Sequence, residues 1–94
     1  MKTVNTNEEA MNVIMQQAET ARKVAEIAAQ VDELKAEAKK QHMLAERYRQ
    51  LGDRTNAKVC GLVIQECYFK AQKLEEEAYE LADQFAENLN KIMQ

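Results

Sequence analysis

Apolar side chains recur along residues 57–92 in alternating steps of three and four, the spacing that places them on one side of an α-helix. The pattern holds for five heptads, and only Asn88 interrupts its apolar character. It predicts one long helix over about 55–93 with the apolar stripe of a coiled coil. The stripe consists of Ala57, Cys60, Ile64, Cys67, Ala71, Leu74, Ala78, Leu81, Phe85, Asn88 and Ile92.

A second stripe of the same spacing lies in the first half of the chain and predicts a helix over about 7–51. Thr6 and Glu9 have the form of a capping box at its start. The regular part of the stripe is Val24, Ile27, Val31, Leu34, Ala38, Gln41, Ala45 and Tyr48. An earlier apolar series runs one residue out of phase, and we expect the stripe to widen or shift where the two meet; this series is Met11, Ile14, Ala18, Ala21, Ala25 and Ala28.

Gly52 separates the two helices and predicts a turn over about 52–55, since glycine readily takes the left-handed conformation that ends a helix. Asp53 or Thr55 would then cap the second helix. The expected fold is all-α: residues 1–94 form a single domain, a long antiparallel helical hairpin, and two copies pair into a four-helix bundle. In this register residue i lies opposite about 105 − i, which places Gln17 near Asn88.

A three-helix bundle is the alternative fold. It requires a break in the first helix, for which the best candidates are Asp32 and the stretch Lys39–His42. Neither place carries a glycine, a proline or a strong cap, so the pattern favours the hairpin.

The composition agrees with an all-helical chain. No proline and only two glycines occur in 94 residues, which excludes a turn-rich β-sandwich or barrel. The beginning of the chain is polar and does not resemble a signal peptide. The longest strongly apolar run, residues 59–64, is far shorter than the roughly 20 residues that cross a bilayer. We therefore expect a cytoplasmic protein with reduced cysteines and no membrane contact.

The net charge of −3 conceals an uneven distribution. Residues 35–58 carry seven basic and three acidic side chains, net +4, whereas residues 1–34 and 59–94 have net charges of −3 and −4. On a hairpin the basic segment lies at the turn, so we expect an electropositive tip between acidic arms.

Several residues near this tip do not fit between two helices. Leu62 and Phe69 fall farthest from the apolar stripe, and the register places Met43 near them. An exposed apolar patch of this kind is typical of an interface. We therefore predict a partner-binding site with Met43, Leu62 and Phe69 as apolar anchors. Its basic rim would be Arg47, Arg54 and Lys58.

The sequence lacks the residue combinations of known catalytic and metal sites. His42 is the only histidine, and Cys60 and Cys67 lack the spacing of a zinc site. No glycine-rich phosphate-binding motif occurs. We expect no enzyme activity, no metal and no cofactor.

The sequence therefore predicts a small, non-catalytic protein-interaction module: an adaptor, a chaperone-like partner or an inhibitor of a larger protein. Two other functions are compatible with the same residues. One is contact with nucleic acid through the basic tip, and the other is structural self-assembly alone.

Overall fold

The computed structural model describes the backbone of residues 2–93 and the side chains of residues 8–90, and it is a long helical hairpin. Helix α1 spans Lys2–Gln50 and helix α2 spans Arg54–Met93, packed antiparallel along their length. The Cα atoms extend over 76 Å in the longest direction. The predicted hairpin is confirmed. The three-helix alternative is wrong, because α1 passes without a break through Asp32 and Lys39–His42.

The first helix begins earlier than predicted, at Lys2 rather than near residue 7. Residues 2–7 contain neither glycine nor proline, so nothing in them ends a helix. The side chain of Thr6, on which the predicted capping box depends, lies outside the described residues, as does that of Ile92.

The turn between the helices forms around Gly52, whose φ of 76° is left-handed. The backbone N–H of Gly52 donates to the carbonyl of Arg49 (3.0 Å), and that of Asp53 donates to the carbonyl of Tyr48 (2.8 Å). This pair of bonds is a Schellman motif, which satisfies carbonyls that the end of α1 would otherwise leave unpaired. It reverses the chain within three residues.

The tip half of the hairpin holds the buried side chains. We call the line of side chains between the two helices the seam, the end at Gly52 the tip and the other end the open end. In the tip half the seam contains several small residues, of which Ala38 is fully buried and packs with Ile64 and Cys67. The pairing of Ala38 with Cys67 agrees with the predicted register. The buried residues are Ile27, Val31, Ala38, Ala45, Ala57, Cys60, Ile64, Cys67 and Ala71.

The seam residues of the open-end half are less buried. Its seam continues through Thr20 and Val24 on α1 and through Leu81 and Phe85 on α2, all half-buried. Among the described residues, none before Ile27 and none after Ala71 is buried.

Two expectations for the open-end half are wrong. The seam of α1 keeps its phase back to Val13, so the out-of-phase series from Met11 to Ala28 does not join it and lies exposed. Gln17 and Asn88 are likewise exposed rather than a buried polar pair. After Phe85 the half-buried residue of α2 is Leu89 and not the predicted Asn88.

Candidate interaction site at the hairpin tip

Asp53 organises the start of α2. Its Oδ1 accepts a hydrogen bond from the backbone N–H of Asn56 (3.1 Å), and its Oδ2 accepts one from the Asn56 side-chain amide (2.7 Å). The carbonyl of Asp53 accepts from the N–H of Ala57 (3.2 Å). Asp53 is therefore the N-cap that the sequence predicts, and it fixes the direction in which the first turns of α2 leave the tip.

A shallow groove beside these first turns brings together Arg54, Lys58 and Leu62, three of the predicted site residues. Leu62 is 57% exposed. Arg49, at the end of α1, adds a third basic side chain, and its guanidinium also pairs with Glu46 at 3.1 Å. The remaining lining residues are Ala57, Gly61 and Gln65. No carboxylate lines this groove, which we call the tip groove, so its character is apolar and positive.

The other predicted residues on α1 lie elsewhere. Met43 and Arg47 line a separate groove formed by side chains of α1 alone, and Met43 is 70% exposed. Met43 lies on the side of α1 turned away from α2, whereas Leu62 lies on the side of α2 turned away from α1. The structure therefore places Met43 and Leu62 on opposite edges of the hairpin and does not bring them together.

Phe69 continues the edge of α2 that carries Leu62. It lies two helical turns farther from the tip, about 10 Å along the axis, and it is 60% exposed. The ammonium of Lys73 lies 5.0 Å from the centre of its ring, a cation–π contact. Phe69 and Leu62 thus share one edge of the helix without sharing a groove.

The prediction missed Arg49, although it belongs to the basic segment already recognised. Arg49 and Gly61 lie on opposite sides of the turn, and the Schellman motif brings their helices together. Heptad positions could have indicated this contact, since residues that flank the seam on the same side face each other across an antiparallel pair. The same reasoning would have placed Met43 on the outer edge.

Gly61 lies half-buried inside α2, and a Cβ atom built on it meets no other atom within 4 Å. Nothing within the chain therefore requires glycine at this position, although glycine in a helix costs about 0.5–1 kcal/mol relative to alanine. We expect Gly61→Ala to raise the free energy of unfolding by that amount, as measured by urea denaturation followed by circular dichroism. A loss of stability would show that the helix at Gly61 is not regular.

Both cysteines lie in the seam, where Cys60 and Cys67 are buried as free thiols. His42 is exposed, and its ring centre lies 6.5 Å from that of Tyr68. Within the described part of the chain, no three His, Cys, Asp or Glu side chains are grouped to hold a metal ion. No described helix combines the length and hydropathy needed to cross a membrane.

Comparison with known proteins adds no relative: no family model, curated protein or solved structure matches this chain significantly. The interpretation of the tip groove therefore depends on its own residues.

The Asp53 cap predicts a pH dependence of stability. The hydrogen bond from the Asn56 backbone, followed by that from its side chain, holds the pKa of the Asp53 carboxyl below its ordinary value of 3.8. A carboxyl whose pKa is lower in the folded state stabilises the protein above its unfolded pKa, and this contribution is lost as the pH falls through the folded value. We expect Asp53→Ala to lower the melting temperature at pH 7.

Asp53→Asn is the matched control, since asparagine keeps an accepting oxygen but does not titrate in this range. Glu66, whose pKa is also lowered by its hydrogen bond to Lys70, is unchanged in both proteins. Wild type should lose more stability than Asp53→Asn between pH 5 and pH 2, in melting curves followed by circular dichroism. Equal losses would show that the Asp53 carboxylate contributes nothing.

Proposed function

We propose that this chain is a small, non-catalytic protein-interaction module that docks on a larger protein through the tip groove. The observation that carries the proposal is the exposed Leu62 with Arg49, Arg54 and Lys58 around it and no carboxylate among the lining residues. An apolar centre inside a charged rim is the usual arrangement of an energetically important contact between proteins.

The position of Arg54 supports a role in binding rather than in folding. Arg54 lies in the first turn of α2, where the helix dipole is positive and disfavours a nearby positive charge, and Lys58 lies in the second turn, beyond the reach of the dipole. Arg54 therefore does not stabilise the helix that carries it. An opposite charge supplied by a partner would relieve the conflict.

The groove also defines the chemistry of its partner. An apolar side chain would contact Leu62, and aspartate or glutamate side chains beside it would pair with the three cations. An adaptor, a chaperone-like partner or an inhibitor would use such a contact, and Phe69 would extend it along the same edge.

Contact with nucleic acid through the same cations is the second candidate. The absence of carboxylates from the groove favours it, because phosphates would meet no repulsion there. The acidic arms disfavour it, since Glu75, Glu76 and Glu77 would repel a nucleic acid that continued along the hairpin.

The test compares three variants in affinity capture from a cell lysate, followed by titration of the recovered partner. Leu62→Asp, and separately Arg54→Glu with Lys58→Glu, should each weaken binding at least about 30-fold, the loss of roughly 2 kcal/mol expected of an anchor. Met43→Asp is the matched control because it makes the same kind of change on the opposite edge, and it should bind as wild type does.

The nucleic-acid candidate predicts a different result. Labelled oligonucleotides would bind wild type with an affinity that falls steeply as the salt concentration rises. Arg54→Glu with Lys58→Glu would abolish this binding, and Leu62→Asp would leave it unchanged. That result would overturn the protein-docking proposal. The proposal would also be overturned if Met43→Asp abolished binding of the partner while Leu62→Asp left it unchanged.

A further inference from the structure

The two broad faces of the hairpin differ in chemistry. Two contacts across the seam mark one of them: Lys35 pairs with Glu75 at 3.2 Å, and the rings of His42 and Tyr68 lie 6.5 Å apart. The opposite face carries charged side chains along both halves, among them Glu33, Glu37, Lys70 and Lys73 near the middle and Glu19 and Lys23 toward the open end.

Toward the open end, the face marked by Lys35 and Glu75 has no charged side chain for more than 15 residues of α1. Positions seven residues apart lie on the same side of a helix. Those that precede Lys35 are Ala28, Ala21 and Ile14, and those that follow Glu75 are Ala82 and Leu89. Their neighbours one turn away on the same face are Met11, Ala18, Ala25, Tyr79 and Ala86. We call these ten residues the apolar face.

Large apolar side chains at both ends of the apolar face are in water. Met11 and Ile14 are each 61% exposed and Tyr79 is 76% exposed. The alanines between them are exposed as well. Continuous apolar surface without charge is typical of an interface, not of the surface of a monomer.

The seam beneath the apolar face gives a second, independent reason to expect a cover. The buried seam residues of the described chain all lie between Ile27 and Ala71, whereas Val24, Leu81 and Phe85 remain half-exposed. A further layer of helices over the apolar face would complete their burial, since domains are built from packed layers around one core.

We propose that a second copy of this chain covers the apolar face, with the two hairpins antiparallel about a two-fold axis near Ala21. The arrangement of large and small side chains points to this occupant. The α1 part of the face is centred between Ala18 and Ala21, and its α2 part between Ala82 and Ala86. In the hairpin register these two centres lie within about two residues of each other along the length of the hairpin. One two-fold axis can therefore pass through the centre of the face on both helices.

A two-fold axis at that level matches the large and small ends of the α1 part of the face: Met11 and Ile14 of one copy lie over Ala28 and Ala25 of the other, and the alanines meet at the centre. On α2, the exposed Tyr79 lies over the partner's half-buried Leu89. A self-complementary surface of this kind is what a two-fold dimer requires. With the hairpins parallel, the basic segments 35–58, each with a net charge of +4, would instead lie against each other at one end and repel.

The area is sufficient for a dimer. The face is about 26 Å long from Met11 to Ala28, and the Cα atoms of the hairpin extend 16 Å across. With its side chains the face covers about 500 Å² on each copy, or about 1,000 Å² over both, which is the lower limit for a biological interface and fits a weak, reversible dimer. The charged face and both tip grooves stay uncovered, so this dimer does not depend on the proposed function.

Charge introduced at the axis tests the proposal. Wild type should sediment as a dimer at about 100 µM, where a complex of micromolar affinity is formed. Ala18→Glu with Ala21→Glu places four carboxylates at the axis and should give a monomer of unchanged helicity. Ala29→Glu with Ala36→Glu is the matched control, since it makes the same two changes on the outer edge of α1, and it should remain a dimer.

The shape of the dimer tests its orientation. With the axis near Ala21 each tip lies about 48 Å from it, so the antiparallel dimer is close to 100 Å long, whereas parallel hairpins would be about 80 Å long. Small-angle X-ray scattering separates the two lengths. Ala21→Cys, in a chain with Cys60→Ala and Cys67→Ala, should form a disulfide between copies on oxidation, and Ala36→Cys should not.

Three results would overturn the proposal. They are a monomeric wild type at about 100 µM, a dimer that persists in Ala18→Glu with Ala21→Glu, and a particle about 80 Å long. A monomeric wild type that still binds a partner through Leu62 would reject the dimer and leave the proposed function intact.

Discussion

Ala38→Asp should lower the free energy of unfolding by about 3 kcal/mol or more, because it places a short charged side chain where no water reaches. Ala38 is 0% exposed and packs with Ile64 and Cys67 in the seam. Aspartate is too short to extend its carboxylate into solvent, and the surrounding side chains donate no strong hydrogen bond. In this thin core no other contact compensates.

Ala36→Asp is the control for Ala38→Asp, since Ala36 lies two residues away and is exposed. It carries the same loss of helix propensity, about 0.7 kcal/mol. Thermal unfolding of both variants at one protein concentration should give melting temperatures at least about 10 °C apart. Similar melting temperatures would mean that the two helices do not pack at Ala38.

Ile64→Ala should cost about 2–3 kcal/mol, the lower part of the range for deleting a buried aliphatic side chain. Ile64 is buried against Ala38 and Cys67. These neighbours are small and cannot extend into the space left by the missing atoms, which therefore fills only in part.

Leu62→Ala is the matched deletion, because Leu62 lies only two residues away on the outer edge of the same helix. It should change the free energy of unfolding by less than about 0.5 kcal/mol. Urea unfolding at a fixed protein concentration separates the two, since dimerisation makes apparent stability depend on concentration. If both deletions cost the same, Leu62 contributes to the core and is not available to a partner.

The comparison of Ile64 with Leu62 also separates folding from binding within one turn of α2. Ile64 faces the seam and holds the hairpin together, whereas Leu62 contributes little to the folded state. An exposed leucine that does not stabilise the fold is the kind of residue on which the docking proposal depends.

Much of the fold followed from the sequence. The heptads of α2 from Ala57 to Phe85, the turn at Gly52, the cap at Asp53 and the register that pairs Ala38 with Cys67 are as predicted. These features are local, or they repeat every seven residues, so one sequence contains the information that determines them.

The candidate site was less predictable. The register gives the level of a residue along the hairpin but not the edge or the face on which its side chain lies. Met43 and Leu62 occupy similar levels on opposite edges for that reason, and Arg49 joins the tip groove through the turn.

The sequence by itself determined that the chain is two long helices reversing at Gly52, with an acidic, basic, acidic order of segments. Only the tertiary structure decided which apolar residues lie between the helices. The regular heptads of α2 leave one line along α1 for the seam, and the alternative series from Met11 to Ala28 remains in water. A helix with two apolar stripes can bury either one, and the choice depends on the helix that packs against it.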